Sequence, residues 1–288
     1  MKNVVIDGKH GRPVLLDIYY PRNEGIKGVI IFCHGFKGFK DWGPFNIVAE
    51  QFADAGFIFI KFNFSHNGTT QQHPQEFADL DAFGSNNPLI ELDDLQCVVD
   101  YVSGTVLANM YSSKLLSQSE HTPDEKIKIY LIGHSRGGGI VILKGTKDPR
   151  ISKIITLASI NEYGNFFSGN IQLWKKNGVI YVENMRTNQQ LPVYYQYYET
   201  VQANKEMLDI HNAVASLSKP LLIIHGTDDE TVPVAMAKAM HSWNPSKTKL
   251  ILMEGANHTF GGMHPWPYSY LPKDFSKVFN EIISFIQS

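Results

Sequence analysis

The sequence predicts an α/β fold, a mostly parallel sheet with helices on both faces. Two observations carry this: short, nearly continuous apolar runs recur along the chain, and segments of helical periodicity separate them. A strand buried on both faces can be apolar at every position, so its run need not alternate with polar residues. No repeat of fixed period points to a solenoid or propeller instead.

Taken in order, residues 4–6 and 14–19 read as a hairpin of edge strands. A strand at 28–33 follows, then a helix marked by Phe45, Val48, Ala49 and Phe52, then a strand at 57–62. Residues 64–88, with Ser65-His66-Asn67-Gly68 and Gln71-Gln72-His73-Pro74, read as a long polar loop. Leu92, Leu95, Val99 and Val102 mark the next helix, and residues 127–132 and 151–157 are the fifth and sixth strands. Residues 161–218 break the rhythm. They are aromatic and poorly periodic, with Phe166, Phe167, Trp174, Tyr181, Tyr194, Tyr195, Tyr197 and Tyr198, and a structureless stretch that long is uncommon in a compact domain. They read as a mostly helical lid insertion over the mouth of the sheet. Strands at 221–224 and 249–253 follow, with a helix begun by Pro233 between them, and Phe275, Val278, Phe279, Ile282 and Ile286 mark a terminal helix. With 288 residues and 43% hydrophobic content, the chain is expected to form one domain, 1–288, with the insertion inside it.

A net charge of −2 and scattered Lys and Arg give no field for nucleic acid. No run of 18 apolar residues and no leader-like amino terminus occurs, so a cytoplasmic protein without a membrane partner is expected. Cys33, in an apolar strand, and Cys97, in a helix, read as two buried thiols rather than a disulfide. There is no H-E-x-x-H, no paired C-x-x-C, no Walker lysine and no dinucleotide fingerprint, so neither metal nor cofactor is expected.

The most informative stretch is Gly133-His134-Ser135-Arg136-Gly137, which closes an apolar run and opens the small-residue helix Gly137-Gly138-Gly139-Ile140. Strand, sharp turn and helix in that order display a nucleophilic serine, and the flanking glycines remove side chains that would clash in the turn. The pentad arises by chance about 0.1 times in a chain of this length, so its context decides. Serine is a weak nucleophile that needs a base and a group to orient that base. Asp228 and Asp229 follow the strand ending at His225, and His258 follows the next strand. Only one of the two adjacent carboxylates can face His258. His34, His134 and His225 sit at strand ends and read as structural.

With these motifs the chain resembles the α/β-hydrolase family over nearly its whole length. The matching residues are His34-Gly35-Phe36, Gly133 to Gly137, His225-Gly226 with Asp229-x-x-Val232-Pro233, and Asn257-His258. The resemblance implies Ser135 as nucleophile, His258 as general base and acid, and Asp229 as the orienting carboxylate, with Asp228 as the alternative. It also implies an oxyanion hole from the backbone N–H groups of Phe36 and Arg136. The insertion resembles the lid of feruloyl and cinnamoyl esterases, and the domain is similar to the hydrolase domain of the prolyl oligopeptidase family. The expected reaction is hydrolysis of small or aromatic acyl esters, with a small-molecule ester and water as partners and a homodimer left open. An aminopeptidase-like amidase, for which Glu162, Glu183 and Glu199 are candidate amine contacts, and an acyl-thioesterase remain alternatives. A rival of another class is a non-catalytic ligand-binding protein of the same fold. The Arg136 side chain is expected to pair with a neighbouring carboxylate rather than reach substrate. Residues 37–43 read equally as a surface turn or as a rim of the site, and one or two of the tyrosines at 194–198 are expected to line its mouth.

Overall fold

The computed structural model describes residues 1–22, 25–112, 127–164, 167 and 169–288; Phe166 lies outside them. In chain order the strands are β1 (Val4–Ile6), β2 (Val14–Tyr19), β3 (Gly28–Cys33), β4 (Phe57–Asn63), β5 (Ile129–His134), β6 (Ile151–Leu157), β7 (Val179–Asn184), β8 (Gln189–Tyr194), β9 (Leu221–Gly226) and β10 (Thr248–Met253). Eight of them form one sheet in the order β1-β2-β4-β3-β5-β6-β9-β10, and β7 and β8 pair separately. Pairing is antiparallel for β1 with β2 and β2 with β4, and parallel from β4 to β10.

The central parallel strands are largely apolar because both faces are covered, with Lys61 of β4 as a charged exception. In β3, Val29, Ile31 and Cys33 enter one core while Ile30 and Phe32 enter the other. The second core is closed by α1 (Phe45–Asp54) through Phe45, Val48 and Phe52 and by the terminal helix, whose Phe275, Val278 and Ile282 lie inward. The opposite face is closed by α3 (Pro88–Tyr101) and α5 (Arg136–Lys147), with Leu95, Val99, Ile140 and Val141 buried in the first core. Between these, α2 spans Leu80–Ser85, and a π-helical turn and α4 (Leu107–Ser112) extend α3. The α2 and α3 starts are capped by side chains, Asp79 accepting from Ala82 N–H and Asn87 from Leu89 and Ile90 N–H.

Several expectations change. β5 begins two residues later than predicted and runs to His134, which leaves Ser135 as the first residue past the strand. The segment at 64–88 is not simply a polar loop. Phe64 to Gly68 is buried and α2 lies within the span. Its polarity is internal: Ser65 N–H and Oγ donate to Asp94 Oδ2 at 2.8 and 2.9 Å, and Asn67 Nδ2 donates to the Gly38 carbonyl at 3.2 Å. Cys33 is buried, but Cys97 is only half-buried, on the side of α3 near Lys9; both are free.

The insertion contains α6 (Ile171–Asn177), the β7–β8 hairpin, α7 (Gln196–Ala203) and α8 (Ile210–Ala215), which packs on α5 and on α9 (Val234–Trp243). The hairpin is an addition to the helical reading. Its signal is a β-branched and aromatic run, Val179-Ile180-Tyr181-Val182, followed by a polar turn in which Asn188 takes φ 53°.

A buried charge cluster ties the loop after β3 to the sheet. Asp17 of β2 accepts from Lys61 Nζ of β4 at 2.9 Å and from Lys40 Nζ at 3.0 Å, and Asp41 pairs with Lys40 at 2.6 Å and with Lys61. Burial alone would raise the Asp17 pKa, but Lys61, the Asn3 N–H and Lys40 override it and hold the carboxyl well below the usual range.

Candidate active site

Ser135 occupies the turn between β5 and α5 with φ 55° and ψ −121°. Such a conformation costs about 1–3 kcal/mol in a residue with a Cβ and persists only when its surroundings impose it. Here they do. Ser135 N–H donates to the Leu157 carbonyl of β6 at 2.9 Å, and the Ser135 carbonyl accepts from Gly138 N–H at 3.0 Å. A Cβ on Gly133 would lie 2.3 Å from the Gly137 carbonyl oxygen, and one on Gly137 would lie 2.5 Å from that of His34. Both flanking glycines are therefore required by close approach of backbone.

Asp229 and His258 come from the turns beyond β9 and β10, the two strands next to β6 at that end of the sheet. His258 Nδ1 is 2.8 Å from Asp229 Oδ2. Asp229 Oδ1 accepts from Thr231 and Val232 N–H at 2.9 and 2.8 Å, and Oδ2 also lies 3.2 Å from His225 Nε2. Burial disfavours the charged carboxylate, yet the His225, His258 and Val232 donors outweigh it and hold Asp229 well below the ordinary range. An ionised Asp229 takes the proton-bearing Nδ1 of His258 as donor, which leaves Nε2 as the acceptor nitrogen of the ring. Asp228, by contrast, is exposed and accepts from Thr227 Oγ1 at 3.1 Å.

The Phe36 N–H is oriented by its own peptide plane. The Gly35 carbonyl accepts from Gly38 N–H at 3.0 Å and lies 2.9 Å from His34 Nδ1. His34 Nε2 faces two donors, Phe64 N–H at 3.5 Å and Asn67 Nδ2 at 3.4 Å, so Nδ1 carries the proton and donates to Gly35. Burial, with Arg136 nearby, pushes His34 down to about 4 and keeps it neutral. In a trans peptide the N–H opposes the C=O, so fixing the Gly35 carbonyl inward turns the Phe36 N–H outward. Arg136 is the first residue of α5, where backbone N–H groups lack intrahelical acceptors and the helix dipole favours negative charge.

Ser135, His258, Phe36 and Lys37 line two cavities that meet at the serine. One, of about 280 Å³, is walled by Trp42, Phe45 and Phe77 and by the hairpin residues Asn184, Met185 and Arg186. The other, of about 510 Å³, is walled by Ile160, Phe167, Val182, Val232 and Met236, with Glu162. Residues 37–43 thus form a rim: Lys37, Gly38 and Trp42 face the first cavity while Phe39 and Lys40 are buried beneath it. The Arg136 guanidinium turns away from both, pairing with buried Glu91 and lying 4.9 Å from the Phe36 ring centroid.

The tyrosine expectation fails. None of Tyr194, Tyr195, Tyr197 and Tyr198 is among the described lining residues; Tyr195 and Tyr198 stack at 5.5 Å between centroids, and Tyr197 packs on Phe167. Tyr195, Tyr197 and Tyr198 pack within the insertion, while Tyr194 lies over Gly84 and donates to Asp81 Oδ1 at 3.3 Å, tying β8 to α2. Two further residues support the site: His134, read from the sequence as structural, and Asn67, which the sequence did not single out. His134 has its Nε2 2.9 Å from the His258 carbonyl and its ring 4.8 Å from the His258 ring. Burial and the adjacent His258 push it down to about 3, so it stays neutral and steadies the His258 turn. Asn67, between His34 and Gly38, gave no signal because its role depends on a fold contact 29 and 33 residues away.

Among the described residues no helix is long and apolar enough to cross a membrane, and no group of three or more His, Cys, Asp or Glu is placed to hold a metal ion. No protein-family profile matches the chain. A monoacylglycerol lipase from Mycolicibacterium smegmatis is 22% identical over 255 residues, 81% of each protein. Among solved structures, Est1E from Butyrivibrio proteoclasticus with ferulic acid bound aligns with a TM-score of 0.71 at 20% identity, over 99% of this chain and 98% of that one. Mouse alpha/beta hydrolase domain-containing protein 10 aligns with a TM-score of 0.68 at 14% identity, over 99% of this chain and 98% of that one. The sheet order, the serine turn between β5 and α5 and these neighbours agree, and the chain has the α/β-hydrolase fold.

Proposed function

We propose that this protein is a serine hydrolase that cleaves carboxylic esters through an acyl-enzyme on Ser135. The observation that carries the reading is the strained Ser135 turn opening on the same cavities as His258, whose Nδ1 meets buried Asp229 at 2.8 Å. In the first step His258 Nε2 takes the Ser135 proton as Oγ attacks the ester carbon. The tetrahedral oxyanion is held by the Phe36 and Arg136 N–H groups, where loss of one donor typically costs about 3 kcal/mol. His258 then returns the proton to the departing alcohol, and a water activated by the same nitrogen releases the acid and restores Ser135.

Residues 161–218 act in this reading as a lid, since the hairpin and Phe167 supply walls to both cavities. Small or aromatic acyl esters are the substrates the ring-walled cavity suits, and the fold likeness to a protein solved with ferulic acid supports the choice. The likeness to a monoacylglycerol lipase supports an ester rather than an amide as the scissile bond.

A fluorophosphonate probe tests the nucleophile. Wild type should be labelled and Ser135→Ala should not; equal labelling of both moves the nucleophile to another residue, and labelling of neither leaves the ligand-binding alternative. Rates on matched ester, thioester and aminoacyl-amide substrates then test the bond type. Faster turnover of the thioester or amide overturns the ester assignment.

A further inference from the structure

We propose that the hairpin-side cavity is an anion-recognition subsite, so that the preferred ester carries a carboxylate group directed at Arg186, Lys37, Asn184 and His264. This rests on the hydrolase reading and specifies its substrate. Lys37, Arg186, His264 and Asn184 all line this cavity, and no Asp or Glu is among its described lining residues.

The chemistry of each group points the same way. Lys37 follows Phe36 directly, is half-buried, and gives one hydrogen bond to the Glu183 carbonyl at 3.2 Å. An ammonium has three donors, so that contact does not exhaust it. Its burial lowers its pKa, a penalty that an anion beside it would relieve. Arg186 sits in the hairpin turn with its guanidinium 6.0 Å from the Phe39 ring centroid, and a guanidinium presents paired donors to a planar carboxylate. His264 Nδ1 accepts from Gly43 N–H at 2.9 Å, which puts its proton on Nε2 and makes it a further donor. Asn184 is 8% exposed, and its Nδ2 is buried with no hydrogen-bond partner among the described residues. A buried amide without an acceptor costs about 1–3 kcal/mol, which an acceptor delivered by the ligand recovers.

The neighbouring carboxylates act on this set only from outside the cavity: Glu183 favours the charged form of Lys37 and Asp41 that of His264, and neither lines the space. Asp41 is held by Lys40 and Lys61, and Glu183 meets Lys37 through its backbone oxygen while its side chain is exposed. The second cavity differs, since its lining includes Glu162. The two spaces at Ser135 therefore differ in charge: the Arg186 side, walled also by Trp42, Phe45 and Phe77, suits a small or aromatic group that bears an anion, and the Met236 side suits an uncharged group.

Two matched pairs of probes test this, one with the charge on each side of the scissile bond: 4-acetoxybenzoate against 4-acetoxybenzamide, and phenyl 4-carboxybenzoate against phenyl 4-carbamoylbenzoate. In at least one pair wild-type kcat/KM should favour the charged member by about tenfold, the scale of a charge-assisted hydrogen bond, and Arg186→Gln should abolish that preference. Turnover without a charge preference in either pair, or a preference that survives Arg186→Gln, overturns the subsite. A different failure marks the hydrolase reading: no probe turned over, or turnover persisting in Ser135→Ala. Calorimetric binding of 4-acetoxybenzoate and 4-acetoxybenzamide to Ser135→Ala, with and without Arg186→Gln, decides the subsite even then. Tighter binding of the anion that depends on Arg186 supports it, and equal binding overturns it.

Discussion

Asp228 and Asp229 are neighbours in sequence and opposites in setting. Asp229 is buried, receives two backbone N–H bonds on Oδ1 and shares Oδ2 between His225 and His258, whereas Asp228 is exposed. Asp229→Asn keeps an oxygen for the backbone donors but presents the wrong partner to His258 Nδ1. Its kcat should fall by about 10⁴, while Asp228→Asn should stay within about a factor of two, the scale of an exposed substitution. Steady-state kinetics on any turned-over ester separates the two, and the reverse order would transfer the orienting role to Asp228. At this scale the strained turn at Ser135 was legible from its flanking glycines, while the preference for Asp229 over Asp228 came from the family resemblance through Asp229-x-x-Val232-Pro233. The sequence was not legible for His34 and Asn67. Their roles lie in which carbonyl they turn, and that depends on the loop after β4 folding back beneath the loop after β3.

The loop after β3 is held as an element by the buried charges. Lys40 and Asp41 belong to the loop, Asp17 and Lys61 to the sheet, and the four interlock. Lys61→Met fills the same space but leaves Asp17 and Asp41 to share Lys40. A loss of about 3–5 kcal/mol is expected, read as a lower urea midpoint. Lys2→Met is the control. Lys2 also reaches Asp17, at 3.4 Å, but its side chain is 54% exposed, so its removal should cost less than about 1 kcal/mol. A lysine inside the apolar run at 57–62 was the visible sign of this cluster, since a charge there demands a buried partner. The hairpin escaped the sequence reading for a different reason. The aromatic density of 161–218 masked the two-residue periodicity of β7, and of the tyrosines expected at the mouth, Tyr197 is buried in the insertion, Tyr195 and Tyr198 stack on each other, and Tyr194 packs on α2.

For the whole molecule, the buried titratable groups set the acid response. Burial holds His34 and His66 down to about 4 and His134 to about 3, against an ordinary histidine value of 6.5. As pH falls from about 6.5 to about 4 the unfolded chain would protonate these rings and the folded chain would not. Each therefore removes about 1.4 kcal/mol of stability per pH unit. Asp94 works in the opposite sense: burial raises it from 3.8 to about 7 despite its Ser65 donors, so its contribution is complete below pH 3.8 and is lost as pH rises through 7. Stability should accordingly peak near pH 6 to 7, and Asp94→Asn should make the acid limb steeper and flatten the fall above the peak. Urea midpoints measured between pH 4 and 8 check both limbs; an unchanged acid slope in Asp94→Asn would remove Asp94 from this account. The two-sided core of a mostly parallel sheet was readable from the apolar runs, because burial on both faces favours nearly continuous apolar strands, but the order of the strands across the sheet was not. Nor was the polar interior between β4 and α3, since polar residues in a loop give the same composition whether they face water or one another. One small contact joins these scales. The ammonium of Lys37 binds the Glu183 carbonyl at 3.2 Å, so the loop presenting the Phe36 donor is fastened to the hairpin that walls the cavity. Displacing the hairpin far enough to break that contact would free the loop as well, so the width of the opening and the setting of the Phe36 N–H move as a single coordinate.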